Sequence, residues 1–379
     1  MPSRNVVGCM TGTSMDAIDA ALVTVHGAGL QMRVAVRRCA TQPLGSLVAP
    51  LHQLASLEPM SAGRIAKLAR DLAFRHVTAV RKLTSQERVD LIAVHGQTVF
   101  HAPPVSWQLL VPAPIADAFQ VPVVFDLRAA DLAAGGQGAP ITPLADYVLF
   151  RHDVETRAIV NLGGYANYTL LPGRSVLPHD AQEDWVRAIR GGDICVCNQL
   201  LDAVARDLFG QPFDEGGQLA ATGEVRSDLR DSLVGLLRGQ GQMGRSLGTG
   251  DELGGWIDEH RGRHPGEDLA RSACEVLAIA VSDTIAEVAQ RYGFSPVNRV
   301  LLAGGGLKNR VLTAAFQRHS QAEVGPTDDF GVPASHREAA AMAVLGALCQ
   351  DGVPITLPHV TGVREPAPLA GAWICPSSG

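Results

Sequence analysis

The sequence predicts an α/β protein of two related domains, and three observations carry that reading. Residues 6–23 and 157–171 share one layout: strand, small polar or glycine turn, strand. An internal echo of this kind marks two α/β domains that each offer a turn to one ligand between them. Residues 299–309, continuing into 310–317, read as strand, three consecutive glycines and helix. At 379 residues the chain is also long for one hydrophobic core and typical of two domains.

Composition narrows the function classes. A formal charge of −6 lacks the basic excess that nucleic acid or an anionic membrane surface requires. No run approaches the roughly 18 uninterrupted apolar residues of a membrane span. Residues 1–5 lead into a strand without the apolar core of a signal peptide, so a cytoplasmic protein is expected. The seven cysteines are odd in number and scattered, which favours reduced thiols over a disulfide framework. Cys195 and Cys197 form a C-x-C with no second pair at zinc spacing.

The first hairpin turns on Thr11-Gly12-Thr13-Ser14. Gly12 permits close approach of a bulky group or a positive φ. Thr13 and Ser14 offer hydroxyls, and successive backbone N–H groups in such a turn form an anion-binding concavity. Asp16 and Asp19 add carboxylates just beyond it. The same residues also suit an ordinary polar turn. Residues 31–41 supply a third antiparallel strand through Met32, Val34 and Val36. Residues 43–83 read as helical, with Leu44, Leu47, Leu51 and Leu54, then Ile65, Leu68, Leu72, Val77, Val80 and Leu83, near three- and four-residue spacing.

Residues 90–94 make a short buried strand that runs out into His95-Gly96-Gln97-Thr98 and His101, a common active-site edge in α/β folds. His95, Gln97 and His101 suit a polyhydroxylated ligand or plain structural roles. Strands are expected over 107–111 and 121–125, with a short helix over 114–119 between them. The glycine-rich run 135–140 is a hinge or a place of close ligand approach. The domain boundary is set before it. The first domain spans 1–131, with the C-terminal tail as a candidate to rejoin it, and the second spans 132–379.

The second hairpin turns on Gly163-Gly164. Asp193 precedes a helix over 199–209 with an apolar stripe of Leu200, Leu201, Val204 and Leu208. It is expected near that helix's N-terminus, where capping is its plain role. Further helices are expected over 224–237 and 269–292, with a glycine-rich, mobile stretch over 239–255. Gly304, Gly305 and Gly306 let a flat ring or a phosphate lie against the backbone at a helix N-terminus. Their spacing is neither the dinucleotide fingerprint nor a P-loop. A last helix covers 335–348, with Glu338 on its first turns, and the tail 357–362 has no regular pattern.

A hydroxyl-bearing hairpin turn, a second glycine hairpin and a strand–triple-glycine–helix segment form the layout of the sugar kinase, heat-shock 70 and actin superfamily. Within it the chain resembles the anhydro-N-acetylmuramic acid kinases, essentially from end to end. The likeness is carried by Gly12-Thr13-Ser14-Met15-Asp16, His95-Gly96-Gln97-Thr98 with His101, Asp126 with Arg128, and the run 135–140. It continues in Asn161-Leu162-Gly163-Gly164 with Ala166-Asn167, Gly304-Gly305-Gly306 with Asn309, Glu338-Ala339 and Thr361-Gly362.

The resemblance implies two RNase-H-like (actin-like ATPase) domains with a central interdomain cleft that closes on ATP, and a homodimer. It implies a substrate, 1,6-anhydro-N-acetylmuramic acid from peptidoglycan, whose anhydro bridge is opened by water as O6 is phosphorylated. By the same resemblance Asp193 is the catalytic aspartate. Gly12, Thr13, Ser14, Met15 and Asp16 hold phosphates, with Asp16 helping to organise Mg²⁺, and Gly163, Gly164, Gly304, Gly305 and Gly306 face the nucleotide. His95, Gln97, Arg128 and Glu338 are the sugar-pocket candidates. A guanidinium such as Arg128 suits the lactyl carboxylate of the sugar, or equally a structural ion pair. The chemistry fits a carboxylate base, because water must attack C1 opposite the departing O6.

The chain departs from the family pattern in two places. The family usually follows its catalytic aspartate with Thr-Gly-Pro-Gly-Asn, where this chain has Ile194-Cys195-Val196-Cys197-Asn198, and it tends to have glycine where Ala17 stands. Two alternatives therefore stay open: a kinase for another 1,6-anhydrosugar, and a nucleotide- and sugar-binding paralogue without turnover.

Overall fold

The structure, a computed structural model, describes residues 3–84, 87–177, 182–241, 252–365 and 370–376. The first segment holds β1 (Ser3–Thr11), β2 (Ala17–His26), β3 (Arg33–Pro43), α1 (Val48–Ala55), α2 (Ala62–Leu83), β4 (Leu91–Val94), β5 (Gln97–Ala102), β6 (Val105–Leu109), α3 (Ala113–Phe119), β7 (Val123–Phe125), α4 (Ala129–Ala133) and α5 (Pro143–Phe150). The middle segment holds β8 (Arg157–Leu162), β9 (Tyr165–Leu171), α6 (Gln182–Ala188), β10 (Arg190–Val196), α7 (Asn198–Phe209), α8 (Gln218–Thr222), α9 (Ser227–Gly241), α10 (Glu252–His260), α11 (Gly266–Arg291), β11 (Arg299–Ala303), α12 (Arg310–His319) and β12 (Glu323–Pro326). The chain closes with α13 (Arg337–Gln350), α14 (Pro358–Thr361) and β13 (Ala372–Ile374). Unit one is Met1–Phe150 with Gly331–Gly379, and unit two is Arg151–Phe330.

The two units repeat one topology. In unit one the sheet order is β13-β7-β4-β1-β2-β3, with β1, β2 and β3 antiparallel and β4 and β7 running parallel to β1. In unit two it is β10-β9-β8-β11-β12, again an antiparallel trio followed by two parallel strands. Leaving out the edge strand β13, both sheets read three-two-one-four-five, the RNase-H-like order.

Burial on both faces explains why β1 and β4 are near-continuous apolar runs. Val7 and Cys9 pack with Leu68, Leu72 and Val80 of α2. Gly8 points the other way, since successive strand residues alternate faces. A Cβ there would collide with the Ala339 carbonyl of α13. The alanine-rich α13 lies buried along almost its whole length against that sheet. Ser61 caps α2 by accepting the Arg64 N–H, and Arg81 and Lys82 complement the dipole in its last turn. In unit two, Ala158, Val160 and Leu162 of β8 meet Leu200, Val204, Leu277 and Phe316 of the helical layer.

Several expectations change. The helical stretch 43–83 is two helices, α1 and α2, and residues 97–102 are a strand that pairs with β6 in a separate two-stranded sheet. The boundary expected at 131 falls inside unit one, because Asp146 of α5 is bound to Arg337 of α13. The tail carries the short helix α14. Of the glycine-rich stretch 239–255, residues 242–251 lie outside the described residues. Among the described residues no helix is long and apolar enough to cross a membrane.

Candidate active site

In unit one the β1–β2 pairing ends at Thr11 opposite Ile18, which leaves residues 12–16 as the turn. The Met15 N–H closes on the Gly12 carbonyl at 3.2 Å. Thr13 and Ser14 are exposed, and the Ser14 hydroxyl donates to Asp16 Oδ1 at 2.7 Å. Of the two uses open to Gly12, close approach or a positive φ, the positive φ is found instead at Met15, at 52°. Left-handed backbone at a non-glycine residue costs about 1–3 kcal/mol and persists only where its surroundings hold it. Here the Met15 side chain is anchored in the core of unit one.

The segment after β4 is tied to that turn. The Thr11 hydroxyl donates to the Gly96 carbonyl at 2.7 Å, and Gln97 Nε2 donates to the Gly12 carbonyl at 3.3 Å. Gln97 is buried and its Oε1 has no partner among the described residues, so it is an acceptor in need of a donor. His95 is also buried. Arg128 Nε donates to its Nε2 at 2.9 Å, and because arginine can only donate, that nitrogen carries no proton. The proton sits on Nδ1, which donates to the Gly96 carbonyl at 2.9 Å. Both ring nitrogens are thus engaged inside the protein, and neither remains for the sugar contact expected of His95. Arg128 also donates from its Nη1 to the Gly138 carbonyl at 2.5 Å. Glu338 is partly exposed on the first turn of α13, beside Ala339, which packs against Gly8.

Burial, and then the Arg128 charge, pushes His95 down to about 3, and burial pushes His76 of α2 down to about 4. Both stay neutral in the fold, whereas the unfolded chain protonates them below its ordinary value of about 6.5. The unfolded state therefore binds more protons in that window, and stability is lost as pH falls from about 6.5 toward the folded values. Each histidine contributes a slope of up to about 1.4 kcal/mol per pH unit. Denaturant titrations at pH 7 and pH 5 check this, and equal midpoints would contradict it.

Unit two holds the other candidates. Asp193 lies within β10, not at the N-terminus of α7, and the register shifts between Asp193 and Cys195. A bulge of this kind re-aims side chains and is common beside active sites. Ile194, Cys195, Val196 and Cys197 all turn into the core of unit two. Burial pushes the Cys195 thiol up to about 12 and Cys197 well above its ordinary value, so both thiols stay protonated and inert. The chain then closes on the Gly163-Gly164 turn. Cys197 N–H donates to the Gly164 carbonyl at 2.8 Å, and Asn198 N–H to Gly163 at 3.0 Å.

The triple glycine does not open a helix directly. Residues Gly305–Lys308 form a 3₁₀ turn, and Asn309 caps α12 by accepting the Val311 and Leu312 N–H groups. Gly304 has φ +90°, and a Cβ there would sit 2.7 Å from the Leu162 carbonyl oxygen and 2.8 Å from Asn161 Oδ1. Gly304→Ala is expected to cost about 1–3 kcal/mol from backbone strain alone. A thermal unfolding midpoint equal to the wild type would contradict that account.

Asn161, Asn167 and Asp126 carry the family resemblance in the sequence but are not singled out there as site residues. Asn161, Asn167 and Asp193 occupy one cross-strand row, since Asn161 pairs with Asn167 and Asn167 with Asp193. Asn161 is buried with its Oδ1 unpartnered among the described residues. A lone asparagine inside the apolar run 158–162 was the available signal. Asp126, at the end of β7, holds φ +52°, and burial raises its carboxyl above the usual range.

The sequence profile described as "Anhydro-N-acetylmuramic acid kinase" matches residues 4–375. The chain belongs to the anhydro-N-acetylmuramic acid kinase family. Relatives that bear that name include the following three. The Synechococcus elongatus protein is 36% identical over 97% of this chain and 99% of its own. The Bordetella pertussis protein is 36% identical over 98% and 97%, and the Salinibacter ruber protein 34% over 97% and 95%. Likeness to solved structures is weaker. The Acidaminococcus fermentans (R)-2-hydroxyglutaryl-CoA dehydratase component A matches at a TM-score of 0.45 and 11% identity, over 91% of this chain and 98% of that one. The architecture of the chain therefore rests on its own two sheets. Its candidate residues divide between the units: the 12–16 turn, Gln97, His95, Arg128 and Glu338 in unit one, and Asp193 with Gly163, Gly164 and Gly304–Gly306 in unit two.

Proposed function

We propose that the protein converts 1,6-anhydro-N-acetylmuramic acid, ATP and water into N-acetylmuramic acid 6-phosphate and ADP. Water forms the new bond to C1 and gives its proton to Asp193. The C1–O6 bond breaks, O6 bonds to the γ-phosphorus, and the bond from that phosphorus to ADP breaks. A carboxylate base suits attack opposite the leaving oxygen. The observation that carries the reading for this chain is the position of Asp193. The unusual residues Ile194–Cys197 are absorbed in the core, and Asp193 stays on the opposite side of the bulge, in the row with Asn167 and Asn161.

In this reading the 12–16 turn, exposed at Thr13, Ser14 and Asp16, receives phosphates, Gln97 Oε1 accepts a sugar hydroxyl, and Arg128 holds the lactyl carboxylate. Among the described residues no group of three or more His, Cys, Asp or Glu is gathered for a metal. Mg²⁺ that travels with ATP needs only one or two carboxylates, the rest being water and phosphate oxygens. Asp16, exposed in the turn, fits as that carboxylate. Mg²⁺ would supply charge neutralisation on the transferring phosphoryl group. The proposal extends to a cytoplasmic homodimer.

The test is ADP release measured with 1,6-anhydro-N-acetylmuramic acid and with 1,6-anhydro-N-acetylglucosamine, which lacks the lactyl group. Preference for the first supports the reading. Equal or better use of the second favours another anhydrosugar, and ATP binding without ADP release favours the non-catalytic paralogue.

A further inference from the structure

We infer that Asp126 selects the 2-acetamido group of the sugar, its carboxylate accepting the amide N–H. This rests on the reading of the substrate as 1,6-anhydro-N-acetylmuramic acid.

The parallel strands of unit one set the place. Val94 pairs with Cys9 of β1 and with Phe125 of β7, so β4 and β7 run out side by side into His95 and Asp126. Ligands of open α/β sheets bind outside the carboxyl ends of such strands. Two acceptors that follow these strands lack a donor. Gln97 Nε2 gives its protons to the Gly12 carbonyl at 3.3 Å and the Thr98 carbonyl at 3.2 Å. That sets the amide and leaves the buried Oε1 without a partner among the described residues. Asp126 is partly exposed, and burial raises its carboxyl with no hydrogen bond or cation among the described residues to offset it. Its backbone is held left-handed at φ +52°, a conformation that suits glycine better than aspartate.

The substrate carries donors to match. Its anhydro bridge takes O1 and O6, and the lactyl ether takes O3. The lactyl carboxylate is ionised and donates nothing. What remains is the 4-hydroxyl and the acetamido N–H. Gln97 Oε1 takes a hydroxyl in the proposed reading, and the 4-hydroxyl is the only one the substrate has. The N–H is left for Asp126. A carboxylate receives it in a charge-assisted hydrogen bond and repels a sugar that presents a lone pair at the same place.

The experiment compares wild type, Asp126→Gly and Asp126→Asn on two sugars, reading kcat and KM. One sugar is 1,6-anhydro-N-acetylmuramic acid. The other is its 2-O-acetyl counterpart, in which an ester oxygen replaces the amide N–H. Wild type is expected to show a KM about tenfold or more lower for the amide, the size of a hydrogen bond to a charged group. Asp126→Gly is expected to erase that preference by raising the amide KM alone. Asp126→Asn keeps an acceptor without the charge and retains part of the preference. Glycine and asparagine both accept left-handed backbone, so the unfolding midpoints stay near wild type. If Asp126→Gly raises KM equally for both sugars, the carboxylate does not read the N–H and the inference falls. It falls too if kcat drops by about a hundredfold with KM unchanged, because Asp126 would then serve the chemistry. If wild type turns over neither sugar but does turn over another anhydrosugar, the substrate reading fails first and takes the inference with it.

Discussion

Asp193→Asn lowers kcat by about 10²–10⁴-fold, the usual contribution of a positioned general base. The substitution keeps shape and hydrogen-bonding capacity but removes the ability to take a proton from water. Asp193 is partly exposed in β10, opposite Asn167, so an amide is accommodated there and the unfolding midpoint stays near wild type. KM for ATP is expected to change little, because in this account Asp193 takes its proton from the attacking water and does not hold the nucleotide. A loss confined to KM, with kcat retained, would show that Asp193 binds substrate and another group activates water.

The largest stability effect is expected at Asp146. Arg337 and Asp146 are almost wholly buried against each other. Arg337 Nε meets Asp146 Oδ1 at 2.8 Å, its Nη2 meets Oδ2, and Nη2 also reaches Thr142 Oγ1 at 3.2 Å. Burial pushes the guanidinium down only to about 10, so it is charged at neutral pH. Asp146→Ala leaves that buried cation without its hydrogen-bonded carboxylate and is expected to cost about 3–5 kcal/mol. Because the pair joins α5 to α13, the loss falls on unit one. The double replacement Asp146→Leu with Arg337→Met is expected to recover most of the loss, since well-packed apolar residues often match a buried ion pair. Denaturant unfolding of the two variants is the check, and a cost of Asp146→Ala below about 1 kcal/mol would contradict the account.

The two hairpins were legible in the sequence because apolar strands flank their glycine turns, and the helices because their apolar residues repeat at helical spacing. What was missed depends on partners far along the chain. His95 read as a sugar ligand because a polar run after a strand does not show that Arg128, 33 residues on, takes one ring nitrogen. The run 135–140 reads as a hinge or a place of close ligand approach, yet Gly138 is held by Asp131, and Asp131 by Thr361, 230 residues further on. Asp193 was expected at a helix start because the bulge after it breaks the alternation that identifies a strand. The close approach of Gly304 to Leu162 likewise joins two strands that only the folded sheet sets side by side.

The central claim is that one active site opens the anhydro ring with water and phosphorylates O6. The most direct measurement is the mass spectrum of the sugar product after incubation with ATP, Mg²⁺ and 1,6-anhydro-N-acetylmuramic acid, with Asp193→Asn in parallel. The account predicts a product heavier than the substrate by one phosphoryl group and one water, nearly absent with Asp193→Asn. A phosphorylated sugar that retains its anhydro ring, or no sugar product while ATP still binds, would contradict it.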